Sequence, residues 1–193
     1  MRILGLTGSI GMGKSTTAAM LQAAGTAVFD ADACVHRLYQ GEIVPALAQA
    51  FPSAVRDGVV DRARLRDLVV GAPERISRLE AIVHPAVRRM KWEFVAQHRR
   101  AGTAVCVLDI PLLFETGDDR RVDAVIVVTA PPQVQKSRIF ARGGMDERQV
   151  EAILAKQTPD AEKRRCAHFI VETQHGLGHA RRRVGVILRA LAV

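Results

Sequence analysis

Apolar residues in this chain gather into short unbroken runs instead of alternating with polar ones. The runs are Arg2 to Thr7, Thr26 to Phe29, Thr103 to Leu108, Val122 to Val128 and Ala167 to Val171. Runs of this length, bounded by turn residues, read as strands covered on both faces. Between them the spacing changes to that of helices with one buried face, over Lys14 to Ala24, Pro131 to Ala141 and Asp146 to Gln157. Asp146 and Gln149 have the spacing of a capping box, with Asp in place of Ser or Thr. A closing helix follows the last strand. The stretch 31–100 is helix-rich and punctuated at Gly41, Pro52, Gly58, Gly71, Pro73 and Pro85. Pro85 is expected to open a long helix reaching about Arg100, since a first-turn proline gives up no needed hydrogen bond.

Strand and helix in alternation predict an α/β protein, a three-layer α/β/α sandwich around a parallel five-stranded sheet. On this reading the core is 1–30, 101–130 and 167–193. Residues 31–100 hold too many helices for one crossover and read as a helical insertion. Residues 131–166 form a second helical excursion. Ligands of such sheets collect at the carboxyl ends of the strands, where insertions can grip or cover them.

Composition narrows the picture in a few places. Hydrophobic residues make up 48% and aromatic ones only 4%, which suits an aliphatic sheet core and not an aromatic-rich sandwich. No apolar run approaches the ~18–20 residues of a membrane span, and the stretch before the first motif is too short for a signal peptide. A soluble cytoplasmic protein without a membrane partner is expected. Cys34, Cys106 and Cys166 lie far apart and read as reduced, mostly buried thiols. The net charge is +8, and Arg164 to Val193 carries six Arg against one Glu, so +5 of it lies there. No aromatic stripe accompanies these cations, so they read as a solvated helix face, with positive charge suited to a helix C-terminus, and nucleic acid is not an expected partner.

The most informative segment is Gly8-Ser9-Ile10-Gly11-Met12-Gly13-Lys14-Ser15, which fits Gly-x4-Gly-Lys-Ser between a strand and a helix. Gly8, Gly11 and Gly13 permit turns that side chains block, and the loop's N–H groups, with that of Met12 among them, then face phosphate oxygens at a helix N-terminus. Lys14 reaches the β- and γ-phosphates, Ser15 offers its hydroxyl to Mg²⁺, and Thr16 lies near the α-phosphate. The expected cofactors are therefore ATP and Mg²⁺. The motif says nothing about what receives the phosphoryl group.

Two further carboxylate positions lie at strand ends. Asp109 closes the run Ala104 to Leu108, where an acid can support Mg²⁺, or can be an ordinary turn residue. Asp30-Ala31-Asp32 closes the second strand. One aspartate here can cap the following helix while the other accepts a proton from an acceptor hydroxyl.

Taken in order, these elements resemble dephospho-coenzyme A kinases across nearly the whole chain. The resemblance rests on Leu4-Gly5-Leu6-Thr7-Gly8, Asp30-Ala31-Asp32, Val60-Asp61-Arg62 with Leu65, Leu79 to Pro85 with its His-Pro pair, and Asp109-Ile110-Pro111-Leu112-Leu113-Phe114-Glu115. Gln135, Arg138, Arg142 and Gln157 fall where that family's lid pattern places them. Met12, His168 and Thr173 depart from it, standing where a small residue, an Asp and an Asn are more usual.

The resemblance implies phosphorylation of the ribose 3′-hydroxyl of dephospho-coenzyme A; a monomer is expected. Asp32 is then the base or orienting acid, and Lys14, Arg138 and Arg142 act on the phosphates. The helical insertion would hold the acceptor, and residues 131–166 would be the lid. His84 is placed near the substrate, or else is a helix-start residue satisfying backbone groups. Leu112 lines the acceptor's apolar part, or else packs on the core. Two other classes compete. Another small-molecule P-loop kinase would share the loop and lid but not the Asp-Ala-Asp and Pro-Leu-Leu-Phe-Glu elements. A guanine switch would need Asn-Lys-x-Asp, and the chain has no asparagine; an ATP-driven nucleic-acid binder rests on charge alone.

Overall fold

The computed structural model describes residues 1–191. The chain divides into two compact units, one formed by Met1–Phe29 with the chain from His98 onward, the other by Asp30–Gln97.

In the first unit, β1 (Arg2–Thr7) leads through the glycine loop into α1 (Lys14–Ala23), and β2 is Ala27–Asp30. After His98 come β5 (Val105–Asp109), β6 (Ala124–Thr129), α6 (Pro132–Arg142), α7 (Glu147–Leu154), α8 (Asp160–Arg165), β7 (Phe169–Glu172) and α9 (Leu177–Leu191). The strands form one sheet in the order β2-β5-β1-β6-β7. The β1–β5, β1–β6 and β6–β7 ladders are parallel. Every residue of β6 is buried, as is all of β1 after Arg2, which is why these runs carry no polar alternation. Leu4, Leu6, Val107, Ile126 and Val128 pack with Leu21 of α1 and with Val184 and Ile187 of α9. The core is aliphatic, as the scarcity of aromatic residues requires.

The register fixes where the chemistry-bearing residues lie. Leu6 pairs with Asp109, so the acid at the end of β5 sits beside the strand that delivers the glycine loop. Beyond β5, Leu113 is fully buried, and a Cβ on Gly5 would fall 2.6 Å from its side chain. Asp146 caps α7 in a complete capping box with Gln149. Of the C-terminal arginines, Arg181 and Arg182 are exposed, whereas Arg183 turns back and donates to the Ile170 carbonyl at 2.9 Å.

The second unit contains α2 (Ala31–Leu38), α3 (Val44–Ala50), a hairpin of β3 (Val55–Arg56) and β4 (Val59–Val60), α4 (Arg62–Val69) and most of α5 (Pro73–Arg100). Two features depart from the sequence expectation. Pro85 does not open a helix: it lies inside α5, which begins at Pro73. An interior proline costs about 3 kcal/mol, and α5 continues through it because Val83, Ala86 and Val95 bury apolar surface on both sides of it. The hairpin was also unforeseen, although Asp57-Gly58 between valines is a strong two-residue turn signal. Both residues have positive φ, 49° and 74°. Asp61 then caps α4, accepting from the Ala63 and Arg64 N–H groups at 3.1 Å.

Gly58 is at φ 74° with open space where a Cβ would go. Gly58→Ala should therefore be penalised by backbone conformation alone, by about 1 kcal/mol. Chemical denaturation should show a lower midpoint with an unchanged m-value; an unchanged midpoint would mean that the turn relaxes to another type.

Candidate active site

The loop from Gly8 to Gly13 makes one backbone hydrogen bond within itself, from Met12 N–H to the Ser9 carbonyl at 3.1 Å. Gly13, the residue ahead of α1, is left-handed at φ 94°, and no side chain caps the helix. The first N–H groups of α1 are thus free of a side-chain acceptor, and the positive end of the helix dipole opens onto the loop. Gly8 is required by close approach, since a Cβ there would lie 2.6 Å from the Val128 carbonyl oxygen.

The loop is held from outside. Gln135 of α6, itself buried, donates from Nε2 to the Ile10 carbonyl at 2.7 Å. Gln157, beyond α7, accepts from the Ile10 N–H at 3.2 Å. The Ala130 N–H points at the Met12 sulfur at 3.1 Å, and Met12 is only 3% exposed. Thr173, just after β7, donates its hydroxyl to the Met12 carbonyl at 2.8 Å. Arg138 donates to the Thr173 hydroxyl at 2.7 Å and to its carbonyl at 2.8 Å. Of these clamps, Gln135, Gln157 and Arg138 matched the family's lid pattern in the sequence, whereas Met12 and Thr173 stood out only as departures from it. Nothing in the sequence singled out Thr173 as a bridge.

Lys14 Nζ lies 2.6 Å from Asp109 Oδ1, with side chains 13% and 4% exposed. The loop lysine and the strand-end acid are therefore brought together as an ion pair. Ser15 and Thr16 are exposed on the first turn of α1. Among the described residues no three His, Cys, Asp or Glu side chains cluster as a metal cage. A hydroxyl such as that of Ser15 and a carboxylate such as that of Asp109 are hard oxygen donors. That pairing suits Mg²⁺, which keeps several waters and takes few protein ligands.

Gly13, Thr16, Met20, Arg138, Arg142 and Thr173 contribute to the walls of a cleft of about 150 Å³ beside the loop. Both sequence-predicted arginines thus lie on the α1 side of the loop, Arg142 exposed and Arg138 engaged with Thr173. Leu112 is 42% exposed, so it does not pack in the core, whereas Leu113 is buried.

In the second unit Asp30 accepts from the Ala33 N–H at 2.9 Å and caps α2. Asp32 lies exposed in the first turn of α2, and its carboxylate has no such capping bond. His84 is exposed on α5, well inside the helix and not at its start. Arg62 and His36, both exposed, meet at 3.2 Å.

A glycine loop joining the central strand of a parallel sheet to a helix, with its lysine paired to the acid of the neighbouring strand, defines a P-loop kinase. The dephospho-CoA kinase family model matches residues 2–178, and the chain belongs to that family. The dephospho-CoA kinase of Bradyrhizobium diazoefficiens is 55% identical over 188 residues, 97% of this chain and 94% of that protein. The crystal structure of TT1252 from Thermus thermophilus superposes with a TM-score of 0.87 at 38% identity, covering 100% of this chain and 98% of the other. Dephospho-CoA kinase from Campylobacter jejuni shares the fold, with a TM-score of 0.72 at 22% identity, covering 99% and 97% of the two chains.

Among the described residues, Thr173 joins Arg138 to the loop. Thr173→Val keeps the shape and removes the hydroxyl, so the Met12 carbonyl loses its donor and Arg138 an acceptor, a change of about 1–3 kcal/mol. The expected outcome is a several-fold weaker Kd for ATP, read by calorimetry, with folding intact. An unaltered Kd would show that the other clamps suffice.

Proposed function

We propose that this chain transfers the γ-phosphoryl group of ATP to the ribose 3′-hydroxyl of dephospho-coenzyme A, giving ADP and coenzyme A. It does so as a monomer in the cytoplasm, with Mg²⁺. The observation that carries the reading is the clamped phosphate loop with Lys14 held 2.6 Å from Asp109, in a chain of this family. Among the described residues, no helix is long and apolar enough to cross a membrane.

The residues divide the work as follows. The loop N–H groups between Gly8 and Gly13 bind the β-phosphate region together with the α1 terminus. Those of Ile10 and Met12 are excepted: Gln157 takes the first, and the Ser9 carbonyl takes the second, which was expected from the sequence to face phosphate. Lys14 leaves Asp109 for the β- and γ-phosphate oxygens, and Asp109 together with the Ser15 hydroxyl is then available to the metal. Held by Asp109 and the Ser15 hydroxyl, Mg²⁺ would supply neutralisation of the phosphate charge. Arg138 and Arg142 bring planar, permanently charged groups to the side of the triphosphate, and Thr16 lies by the α-phosphate.

Asp30 is occupied in capping α2, which supports Asp32 as the acid that orients the acceptor hydroxyl and takes its proton. As the ribose oxygen bonds to γ-phosphorus, the bond from that phosphorus to the bridging oxygen breaks, and ADP leaves with the electron pair. Strong basicity is not needed, because the transition state is loose and asks for orientation more than for basicity. His84 and Leu112 are assigned to the acceptor, and the segment 131–166 to the lid over ATP.

Two substitutions test the division. Asp32→Asn should lower kcat by about 100-fold or more while leaving the Kd for ATP within a few-fold. Lys14→Ala should abolish most turnover and also lower the Tm, because it removes the charge opposite the largely buried Asp109 carboxylate. ADP release measured with and without dephospho-coenzyme A, with the product identified by mass, reads both. Turnover of Asp32→Asn within a few-fold of wild type would remove Asp32 as the base. ADP release unstimulated by dephospho-coenzyme A in the wild type would remove the acceptor assignment.

A further inference from the structure

Lys163 of α8 is wholly buried, the largest fully buried side chain among the described residues. No sequence feature marked it, since a lysine among Glu162, Arg164 and Arg165 reads as part of a solvated helix. Its ammonium lies 3.2 Å from Glu115 Oε1, and the Glu115 side chain is 16% exposed. The same oxygen accepts from the Thr158 N–H at 2.6 Å. Thr158 directly follows Gln157, whose Oε1 accepts from the Ile10 N–H of the phosphate loop. At the start of α8, Asp160 Oδ2 accepts from the Thr129 hydroxyl at the end of β6 at 2.7 Å. Residues 157–163 therefore form a strap tied at four points: to the phosphate loop, twice to Glu115, and to β6.

Burying an ammonium is costly unless it is paired, and Glu115 supplies the opposite charge for Lys163. Glu115 ends the segment Asp109 to Glu115, which begins with the acid that pairs with Lys14. We infer that Lys163 and Glu115 act as a buried latch that positions Gln157 against Ile10 and so sets the shape of the phosphate loop, making Lys163 a positioning residue for the phosphoryl-transfer step. The inference rests on the assignment of that loop to ATP.

The electrostatics of Glu115 agree. Burial pushes its carboxyl up, but the N–H groups of Glu115 and Thr158 and the facing Lys163 ammonium outweigh this and hold it below its ordinary value. A lowered folded-state value means that the latch stabilises above the unfolded-state value, and that this is lost as pH falls through the folded-state value. Without Lys163 the carboxyl rises, and the acid limb of the kinetics moves to higher pH.

The test is kinetic. Lys163→Met should lower kcat/KM for ATP by tenfold or more, leave KM for the acceptor unchanged, and move the acid limb of kcat/KM upward. Glu115→Gln should lower kcat/KM for ATP comparably, and Glu115→Gln with Lys163→Met should be no worse than either alone. A merely structural lysine would reduce the folded, active fraction without changing KM for ATP or the acid limb, and that outcome overturns the proposal. Gln157→Ala covers the case in which Lys163→Met does not fold: it keeps the latch, removes the grip on Ile10, and should reproduce the ATP defect at near wild-type Tm. An unchanged KM for ATP in Gln157→Ala equally overturns the latch. Lys14→Ala runs alongside. If it keeps turnover, the ATP assignment of the loop is what fails; if it is inactive while Lys163→Met and Gln157→Ala match wild type, only the latch fails.

Discussion

A phosphate-binding loop works by leaving its N–H groups unused, so that they can turn toward an anion. That requirement deprives the loop of the hydrogen bonds by which other turns keep their shape. Here one internal bond remains, from Met12 to Ser9, and the rest of the support must come from neighbouring segments. Much of the first unit is arranged to supply it. The central position of β1 puts strands on both sides of the loop's point of departure. Gln135 takes the Ile10 carbonyl, Gln157 the Ile10 N–H, and Thr173 the Met12 carbonyl. These three side chains come from three separate places in the chain, so the loop is shaped by tertiary contacts and not by its own sequence.

That division explains what could be read in advance. The strands were legible because both of their faces are covered, which leaves unbroken apolar runs such as Ala124–Thr129. The capping box at Asp146 and Gln149 was legible because it is local. The Asp57-Gly58 turn carried an equally local signal, and it was obscured by the helix-rich composition around it. Pro85 misled because the helix-opening preference of proline is a local rule, and α5 overrides it with burial on both sides. Lys163 could not be read as buried, because its partner Glu115 lies 48 residues earlier, and only the fold brings them within 3.2 Å. In the site, Lys14 and Asp109 were legible from motif and strand end. Which aspartate of Asp30-Ala31-Asp32 caps was left open by the sequence and is decided by the Ala33 N–H bond to Asp30.

The pairing of Lys14 with Asp109 bears on the order of events. Two opposite charges 2.6 Å apart, both largely removed from solvent, stabilise the loop when no phosphate is near. On the function proposed above, a triphosphate would compete for Lys14 and a divalent cation for Asp109. A metal–nucleotide complex would bring the two together, so neither member of the pair would be left uncompensated at an intermediate stage. A nucleotide without its metal would free Lys14 but leave a buried carboxylate beside the phosphates, which is unfavourable on charge grounds.

Two of the departures from the family pattern, Met12 and Thr173, meet at this loop. Thr173 bonds the carbonyl of residue 12, a group that any amino acid provides, so its grip does not depend on methionine. The methionine side chain is used separately: it is buried, and its sulfur faces the Ala130 N–H at the end of β6. Sulfur is a weak acceptor, but methionine adapts its shape to irregular gaps, and here it fills one between the loop and the sheet. Both substitutions therefore act on the outer surface of the loop, on the side of its supports. The N–H groups that turn toward phosphate are main-chain atoms, and these side chains bear on them only through the shape of the loop they hold.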